Sequence, residues 1–428
     1  PSTKGEGNGM TTGIIGPVLL TATGMAYVED VFVITRVNPT QSLNAQITLH
    51  NPTNRQLTVQ WLGSVIDLAT QAPIKTGLQL QATLKPQSTQ TIELPDTAMP
   101  NAKRWWPENG AQLYQLQSQL LMGGQLVDTH HQTFGFREVS ITGKDFLLNG
   151  VPWHFYNWVD VPEHHDVNQW LKTYHAQGDR FHRVSQDHDR IFGSRKNALD
   201  FFDSHGIPGR LSTCIDGMFI THDLENPIVW DNFQEHVAQV VKAYRNHPSV
   251  MMYSLGNEMF FVTAFLRHGN NYRAMEQRAA KLHDIAKQLD PTRASFQDGG
   301  GDLGGLGEIN CQHYTFPKGS GFPLAAYDYP TGKPNGEHTR AEVFKWSGNN
   351  PLVLGEVFYY SGNLSKMAWV GGPMVYRGRE HADVGAGKYL NIAMQGARWQ
   401  GVTAICPWTR KLPGCEPAFS PRAVFLKE

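Results

Sequence analysis

Cysteine is nearly absent. Cys214, Cys311, Cys406 and Cys415 are the only four in 428 residues. None sits in a Cys-x-x-Cys spacing, so neither a disulfide framework nor a zinc ribbon is expected. Cys406 and Cys415 are close enough in sequence to pair, but free thiols are the plainer reading. Net charge is also scarce. Lys and Arg number 37 against 38 Asp and Glu, a formal charge of −1. That removes the electrostatic basis for wrapping a nucleic acid or holding to an acidic membrane. No apolar run approaches the ~18 residues a membrane span needs. Internal repeats and low-complexity tracts are missing. The sequence starts at Pro1 without a Met or a signal peptide, and is read as a processed protein or a piece of a longer one. What is present is a folding composition: 40% apolar residues and only 18% charged, the opposite of a disordered chain. Aromatics reach 11%, with 11 tryptophans. Such flat, amphipathic rings suit both large cores and sugar stacking.

The chain changes character near residue 141. Before it, short runs alternate apolar with polar residues: Glu29 to Val37, Ala45 to His50, Leu57 to Leu62, Leu78 to Gln81 and Thr91 to Leu94. Period-2 alternation broken by Asn-Pro, Gly and Ser marks half-buried antiparallel strands. Several of them within ~120 residues predict a small β-sandwich over 23–141. Residues 1–22, with the strand-like Gly13 to Leu20, read as the remnant of an upstream domain.

From residue 142 to 428, strand-like runs alternate with helical ones. The strands are Trp153 to Trp158, Arg180 to Val184, Pro208 to Thr213, Val250 to Leu255, Ala294 to Phe296, Glu308 to Tyr314, Leu352 to Leu354 and Val402 to Ile405. Helices are expected over Val167 to Gln177, Asn197 to His205, Asn232 to Arg245, Tyr272 to Leu289 and Ala386 to Trp399. Eight strands in this order predict a multidomain α/β protein with a (β/α)8 barrel. A doubly wound sheet is the rival, but it wants a glycine-rich phosphate turn after an early strand, and none is there. The glycine-rich run Asp298 to Gly307 leads into a strand rather than a helix, so it reads as a flexible barrel loop.

In a barrel, the carboxyl ends of the strands face the active site. Two apolar strands end in a carboxylate there: Ser254-Leu255-Gly256-Asn257-Glu258 closes the fourth and Leu352-Val353-Leu354-Gly355-Glu356 the seventh. Burying a carboxylate costs desolvation energy with no packing return. Each Glu can serve merely as the partner of an Arg. Two of them across one pocket fit the hydrolysis of a glycosidic bond, which needs one carboxyl to donate a proton and another to attack.

These segments carry a family resemblance. Trp105-Trp106-Pro107-Glu108-Asn109 with Leu113-Tyr114, Phe134-Gly135-Phe136-Arg137, Phe146-Leu147-Leu148-Asn149-Gly150 and Arg183-Val184-Ser185 resemble successive motifs of glycoside hydrolase family 2. This is the group of β-galactosidases, β-glucuronidases and β-mannosidases. The most specific stretch is Arg245-Asn246-His247-Pro248-Ser249-Val250 followed by Ser254 to Glu258. The resemblance implies an immunoglobulin-like sandwich before the barrel, retaining hydrolysis, Glu258 as acid/base, Glu356 as nucleophile and Asn257 on the substrate 2-hydroxyl. The residues after Glu356, Val357-Phe358-Tyr359-Tyr360, match no subgroup motif, so the sugar stays open. Exo action is the family habit.

Around these glutamates, Arg183 is the candidate cation that keeps a nucleophile ionised. At the sixth strand end His313 is a candidate substrate contact, and Tyr314 beside it is the candidate hydroxyl, or an ordinary rim aromatic. Trp408 at the eighth strand end and Trp158 at the first are candidate sugar platforms, or core tryptophans. The clusters His164-His165-Asp166 and Asp187-His188-Asp189 lack metal-site spacing and read as solvated loops near the pocket. The Asn363-Leu364-Ser365 triplet carries no weight. No metal and no organic cofactor is expected. The expected partner is a carbohydrate, with no nucleic acid and no membrane, and a homo-oligomer is compatible with the sequence. Two alternatives stand beside hydrolysis: a non-catalytic carbohydrate-binding protein of the same fold, and a transglycosylase using the same pair.

Overall fold

The computed structural model of the protein describes residues 20, 22–107, 110–156, 167–176, 179–185, 187–217, 226–259, 272–313, 346–357, 372–378, 381 and 395–407. Strands β1 (Tyr27–Arg36), β2 (Ser42–Asn51), β3 (Leu57–Asp67), β4 (Pro73–Leu84), β5 (Ser88–Ala98), β6 (Tyr114–Met122) and β7 (Gln125–Phe134) form two sheets, ordered β1-β2-β5 and β4-β3-β6-β7. Every ladder is antiparallel. The alternation read in the sequence is the reason they pack. Leu43, Ala45, Ile47 and Leu49 of β2 point inward against Leu57, Val59, Trp61 and Val65 of β3, while the polar residues between them stay at the surface. This is a β-sandwich.

Three short strands follow, β8 (Val139–Thr142), β9 (Asp145–Leu148) and β10 (Val151–Pro152), in one antiparallel sheet. Then come β11 (Phe155–Tyr156), α1 (Val167–Ala176), β12 (His182–Val184), α2 (Asp187–Phe192), α3 (Arg195–His205), β13 (Gly209–Ser212), α4 (Pro227–Tyr244), β14 (Val250–Asn257), α5 (Tyr272–Leu289), β15 (Ala294–Asp298), β16 (Asn310–His313), β17 (Leu352–Val357) and β18 (Ala404–Pro407). Residues 395–399, just before β18, are helical. Local signals set the helix ends: Ser194 and Asn226 cap α3 and α4, Pro227 opens α4, and Gly206 ends α3 at φ 65°.

The eight strands β11 to β18 make two four-stranded parallel sheets, β12-β13-β14-β15 and β11-β18-β17-β16. These are the neighbour relations of a (β/α)8 barrel. Side chains bridge the two seams between the sheets. Phe155 meets Phe181 at a ring-centroid distance of 4.4 Å, and His313 meets Asp298 at 2.8 Å. Phe146 and Leu148 of the β9 hairpin strand pack with Phe155, Met252, Phe296, Val353 and Ala404 in one apolar cluster.

The sandwich holds the start of β14 firmly. Buried Arg137 donates to the carbonyls of Pro248 and Val250 at 3.0 and 3.1 Å. Asn246 accepts from Val33 N at 2.9 Å and donates to Val31 O at 2.7 Å. Arg245 pairs with Asp30. The Arg-Asn-His-Pro segment is thus a docking element, and the strand it anchors carries Asn257 and Glu258 at its other end.

Candidate active site

A buried ionic layer fills the carboxyl-terminal end of the barrel. Its hub is Asp298, the last residue of β15. Asp298 Oδ1 accepts from Arg210 Nη1 at 2.7 Å, lies 2.8 Å from His313 Nε2 and accepts from Cys311 Sγ at 3.2 Å. Its Oδ2 accepts from Ser254 Oγ at 3.4 Å and faces Arg183 Nε at 3.8 Å. Four different strands supply the partners, so the cluster exists only once the barrel has assembled. Gly355 makes room for it. A methyl group there would lie 2.3 Å from Asp298 Oδ1 and 2.7 Å from His313 Nε2.

Glu258 and Glu356 sit on top of this layer, 2% and 4% exposed. Arg183 Nη1 donates to Glu356 Oε1 at 2.7 Å. His313 Nδ1 is 2.8 Å from Glu258 Oε1 and 3.8 Å from Glu356 Oε2. One carboxylate oxygen of each glutamate and a His313 ring nitrogen lie within 4.8 Å of one another. Glu258 holds a left-handed backbone, φ 51°, which costs a non-glycine residue about 1–2 kcal/mol. Its N–H donates to Asp298 O at 2.8 Å, and Asn257 N to Ile215 O at 2.8 Å, which pins the turn. Irregular register between Gln312 and His313 and between Leu354 and Val357 breaks the strand alternation where the functional side chains emerge.

The charges reinforce one another. Burial raises the pKa of Asp298, but Arg210, Arg183 and His313 outweigh it and hold the carboxyl well below its ordinary range. Burial opposes a charge on His313. Glu356 and the hydrogen bonds to Asp298, Cys311 and Glu258 overcome that and lift the imidazole well above its usual value. Arg183 is also held charged, with burial outweighed by Asp298 and Glu356. The donor sets Glu258-His313-Glu356 and Asp298-Cys311-His313 have the spacing of a cation site. Arg183 already pairs with Glu356 and Arg210 with Asp298, and their charge opposes a metal ion.

Among the residues singled out in the sequence, the structure brings together Glu258, Glu356, Arg183 and His313. Asn257 stands beside them, its Nδ2 donating to Asp216 Oδ2 at 2.9 Å. Tyr314, Trp408 and Trp158 lie outside the described residues, as do most of Gly13 to Leu20, His164 to Asp166, Asn363 to Ser365, Cys415 and most of Ala386 to Trp399. Cys214, Cys311 and Cys406 are free thiols. His188 differs from the solvated loop expected of it. It is fully buried, its Nε2 is 2.8 Å from His182 Nε2, and burial brings its pKa down to about 4. The glycine-rich run differs too. Residues 298–303 are buried rather than a free loop, and Asp298 is the centre of the ionic layer. Arg210 and Asp216 were likewise not singled out.

Two family profiles match the chain: "Glycosyl hydrolases family 2" over residues 26–137 and "Glycosyl hydrolases family 2, TIM barrel domain" over 199–315, together more than half of it. A β-glucuronidase from Sus scrofa is 27% identical over 298 residues, covering 66% of this chain and 41% of that protein. A β-galactosidase from Psychromonas ingrahamii is 27% identical, covering 62% of this chain and 25% of that one. The chain therefore matches about two fifths or less of the length of these curated relatives. Among solved structures, a family 2 β-galacturonidase from Eisenbergiella tayi bound to galacturonate aligns over 90% of this chain and 65% of its own, with a TM-score of 0.66 and 17% identity. A Bacteroides uniformis β-glucuronidase aligns over 90% and 47%, with a TM-score of 0.66 and 16% identity. These structures share the fold. No described helix is long and apolar enough to cross a membrane.

Proposed function

Since the chain belongs to the glycosyl hydrolases of family 2, we propose that it hydrolyses β-glycosidic bonds with retention of configuration, using Glu356 as nucleophile and Glu258 as acid/base. One observation carries the reading: an oxygen of Glu258 and an oxygen of Glu356 lie within 4.8 Å of each other. Retaining pairs stand about 5–5.5 Å apart, whereas inverting pairs need roughly 6.5–9.5 Å to admit a water.

In the first step Glu356 attacks the anomeric carbon while Glu258 gives its proton to the leaving oxygen. In the second, Glu258 takes a proton from water, and that water releases the sugar from Glu356. Arg183, 2.7 Å from Glu356, holds and aims the nucleophile. Asn257, next to Glu258 and tethered to Asp216, is assigned to the substrate 2-hydroxyl. The same reading keeps Tyr314 as the candidate hydroxyl, and Trp408 and Trp158 as candidate platforms for the sugar. It also takes the sandwich as residues 23–141 and the barrel as residues 142–428.

The names of the relatives favour a β-linked uronic acid or galactose as the glycone. A panel of aryl β-glycosides of glucuronic acid, galacturonic acid, galactose, mannose and glucose is the direct test. Turnover of at least one, led by a uronide or the galactoside, is expected. No turnover on any of them, with binding retained, would leave a non-catalytic carbohydrate-binding protein. Transfer to an added alcohol acceptor in place of water would instead make it a transglycosylase.

A further inference from the structure

We propose that Asp298 is a positioning residue that, acting through His313, keeps a standing imidazolium beside the two glutamates, and that this cation stabilises negative charge as it passes from Glu356 to Glu258. The inference rests on the retaining reading above.

Both ring nitrogens of His313 face carboxylate oxygens at 2.8 Å: Nδ1 faces Glu258 Oε1 and Nε2 faces Asp298 Oδ1. A neutral imidazole has one N–H and can serve only one of them as donor. The doubly protonated ring serves both, with Glu258 accepting through Oε1 while its other oxygen carries the proton meant for the leaving group. Asp298 is fitted to hold that second proton. It is 1% exposed, and Arg210 and Arg183 keep it charged from the other side. Among the described residues, the titratable and charged groups around the ring are Glu258 at the end of β14, Asp298 of β15, Cys311 of β16 and Glu356 of β17. Arg210 of β13 and Arg183 of β12 stand behind Asp298. The strong upward shift of the His313 pKa agrees with this arrangement.

Distances give the cation a catalytic consequence. In the first step the glycosidic C–O bond breaks and a bond forms between Glu356 and the anomeric carbon. Glu356 thereby loses its charge. The proton of Glu258 goes to the leaving oxygen, and Glu258 becomes the carboxylate. Negative charge thus disappears 3.8 Å from His313 Nδ1 and appears 2.8 Å from it. Attraction to a fixed imidazolium grows as the step proceeds, and only an interaction that strengthens toward the transition state accelerates a reaction. The effect is largest for leaving groups that need the proton.

The ring can be read directly by nitrogen-15 NMR of the whole wild-type chain without substrate, with the His313 signals assigned through their loss in His313→Gln. Because the pKa is raised, both nitrogens are expected to stay protonated across the range around pH 6.5 where a free histidine gives up its proton, and to lose one only at higher pH. A neutral ring at pH 7, with Nδ1 accepting the Glu258 proton, overturns the proposal. In Asp298→Asn, which keeps an oxygen for Arg210, the ring is expected to be neutral at pH 7. The kcat for alkyl β-glycosides should then fall roughly 10²-fold more than that for activated aryl β-glycosides, with KM little changed. Equal losses on both substrates would make Asp298 merely structural and also overturn the proposal. If the variant does not fold, the wild-type ring measurement decides alone. That measurement uses no sugar, so a chain that turned over no glycoside would fail the retaining reading and leave the charge of His313 separately answered.

Discussion

Replacing Glu356 with alanine is expected to lower kcat by roughly 10⁴–10⁶-fold, the scale of losing a covalent nucleophile, while the protein stays folded. The fold survives because Arg183 retains a second anion: its Nε is 3.8 Å from Asp298 Oδ2. Some stability is still lost, since breaking a buried ion pair costs on the order of 3–5 kcal/mol when no partner remains. Glu356→Gln, which keeps an oxygen for Arg183, should lose less stability and as much activity. The space vacated by Glu356→Ala lies on the face of the sugar opposite the leaving group. Added azide is expected to enter it and restore part of the turnover on activated substrates. One displacement inverts the carbon, so the product should be the α-glycosyl azide. Steady-state rates with and without azide check this, and wild-type turnover in the variant would remove Glu356 from the nucleophile role.

Glu258→Ala should behave differently, because only some substrates need its proton. Alkyl glycosides, with poor leaving groups, are expected to slow by about 10²–10⁴-fold, the usual contribution of a general acid. Activated aryl glycosides should still form the glycosyl-enzyme, which then accumulates for want of a base. Azide now attacks that intermediate from the face where Glu258 stood. Two inversions cancel, so the β-glycosyl azide is expected, the opposite anomer from the Glu356 variant. A uniform loss on both substrate types, or the same azide anomer from both variants, is incompatible with the roles assigned.

The two glutamates were legible in the sequence for a physical reason. An apolar strand that ends in a carboxylate pays a desolvation cost that packing does not return, and the barrel order brings the fourth and seventh strand ends to one mouth. The same rule would have found Asp298. The sequence pattern ends its strand at Phe296, whereas β15 runs on to Asp298, and the glycines that follow give the carboxylate the look of a loop. Arg210 was harder to see. A cation inside a four-residue strand means nothing until its partners are known, and those come from residues 88 and 145 positions away. In the sandwich, β6 and β7 lie outside the expected strands although their signal is plain: alternating Tyr114 to Leu120 runs into Gly123-Gly124, whose φ values of 57° and 82° are those of a tight hairpin turn that glycine favours. The flanking aspartates of His188 suggest solvent. The aromatic packing that buries it, against Phe192 and Phe202, is tertiary.

The central claim is that Glu258 and Glu356 carry out a double displacement, and the anomeric form of the first product tests it most directly. One oxygen of each lies within 4.8 Å of the other's, closer than the spacing that admits a water between nucleophile and sugar. On the proposed mechanism the sugar passes through Glu356 and is inverted twice. Proton NMR of a hydrolysed β-glycoside, recorded before mutarotation mixes the anomers, should show the β-anomer appearing first and the α-anomer growing in later. An α-anomer as the first product would mean a single displacement by water, and would contradict the assignment of Glu356 as nucleophile.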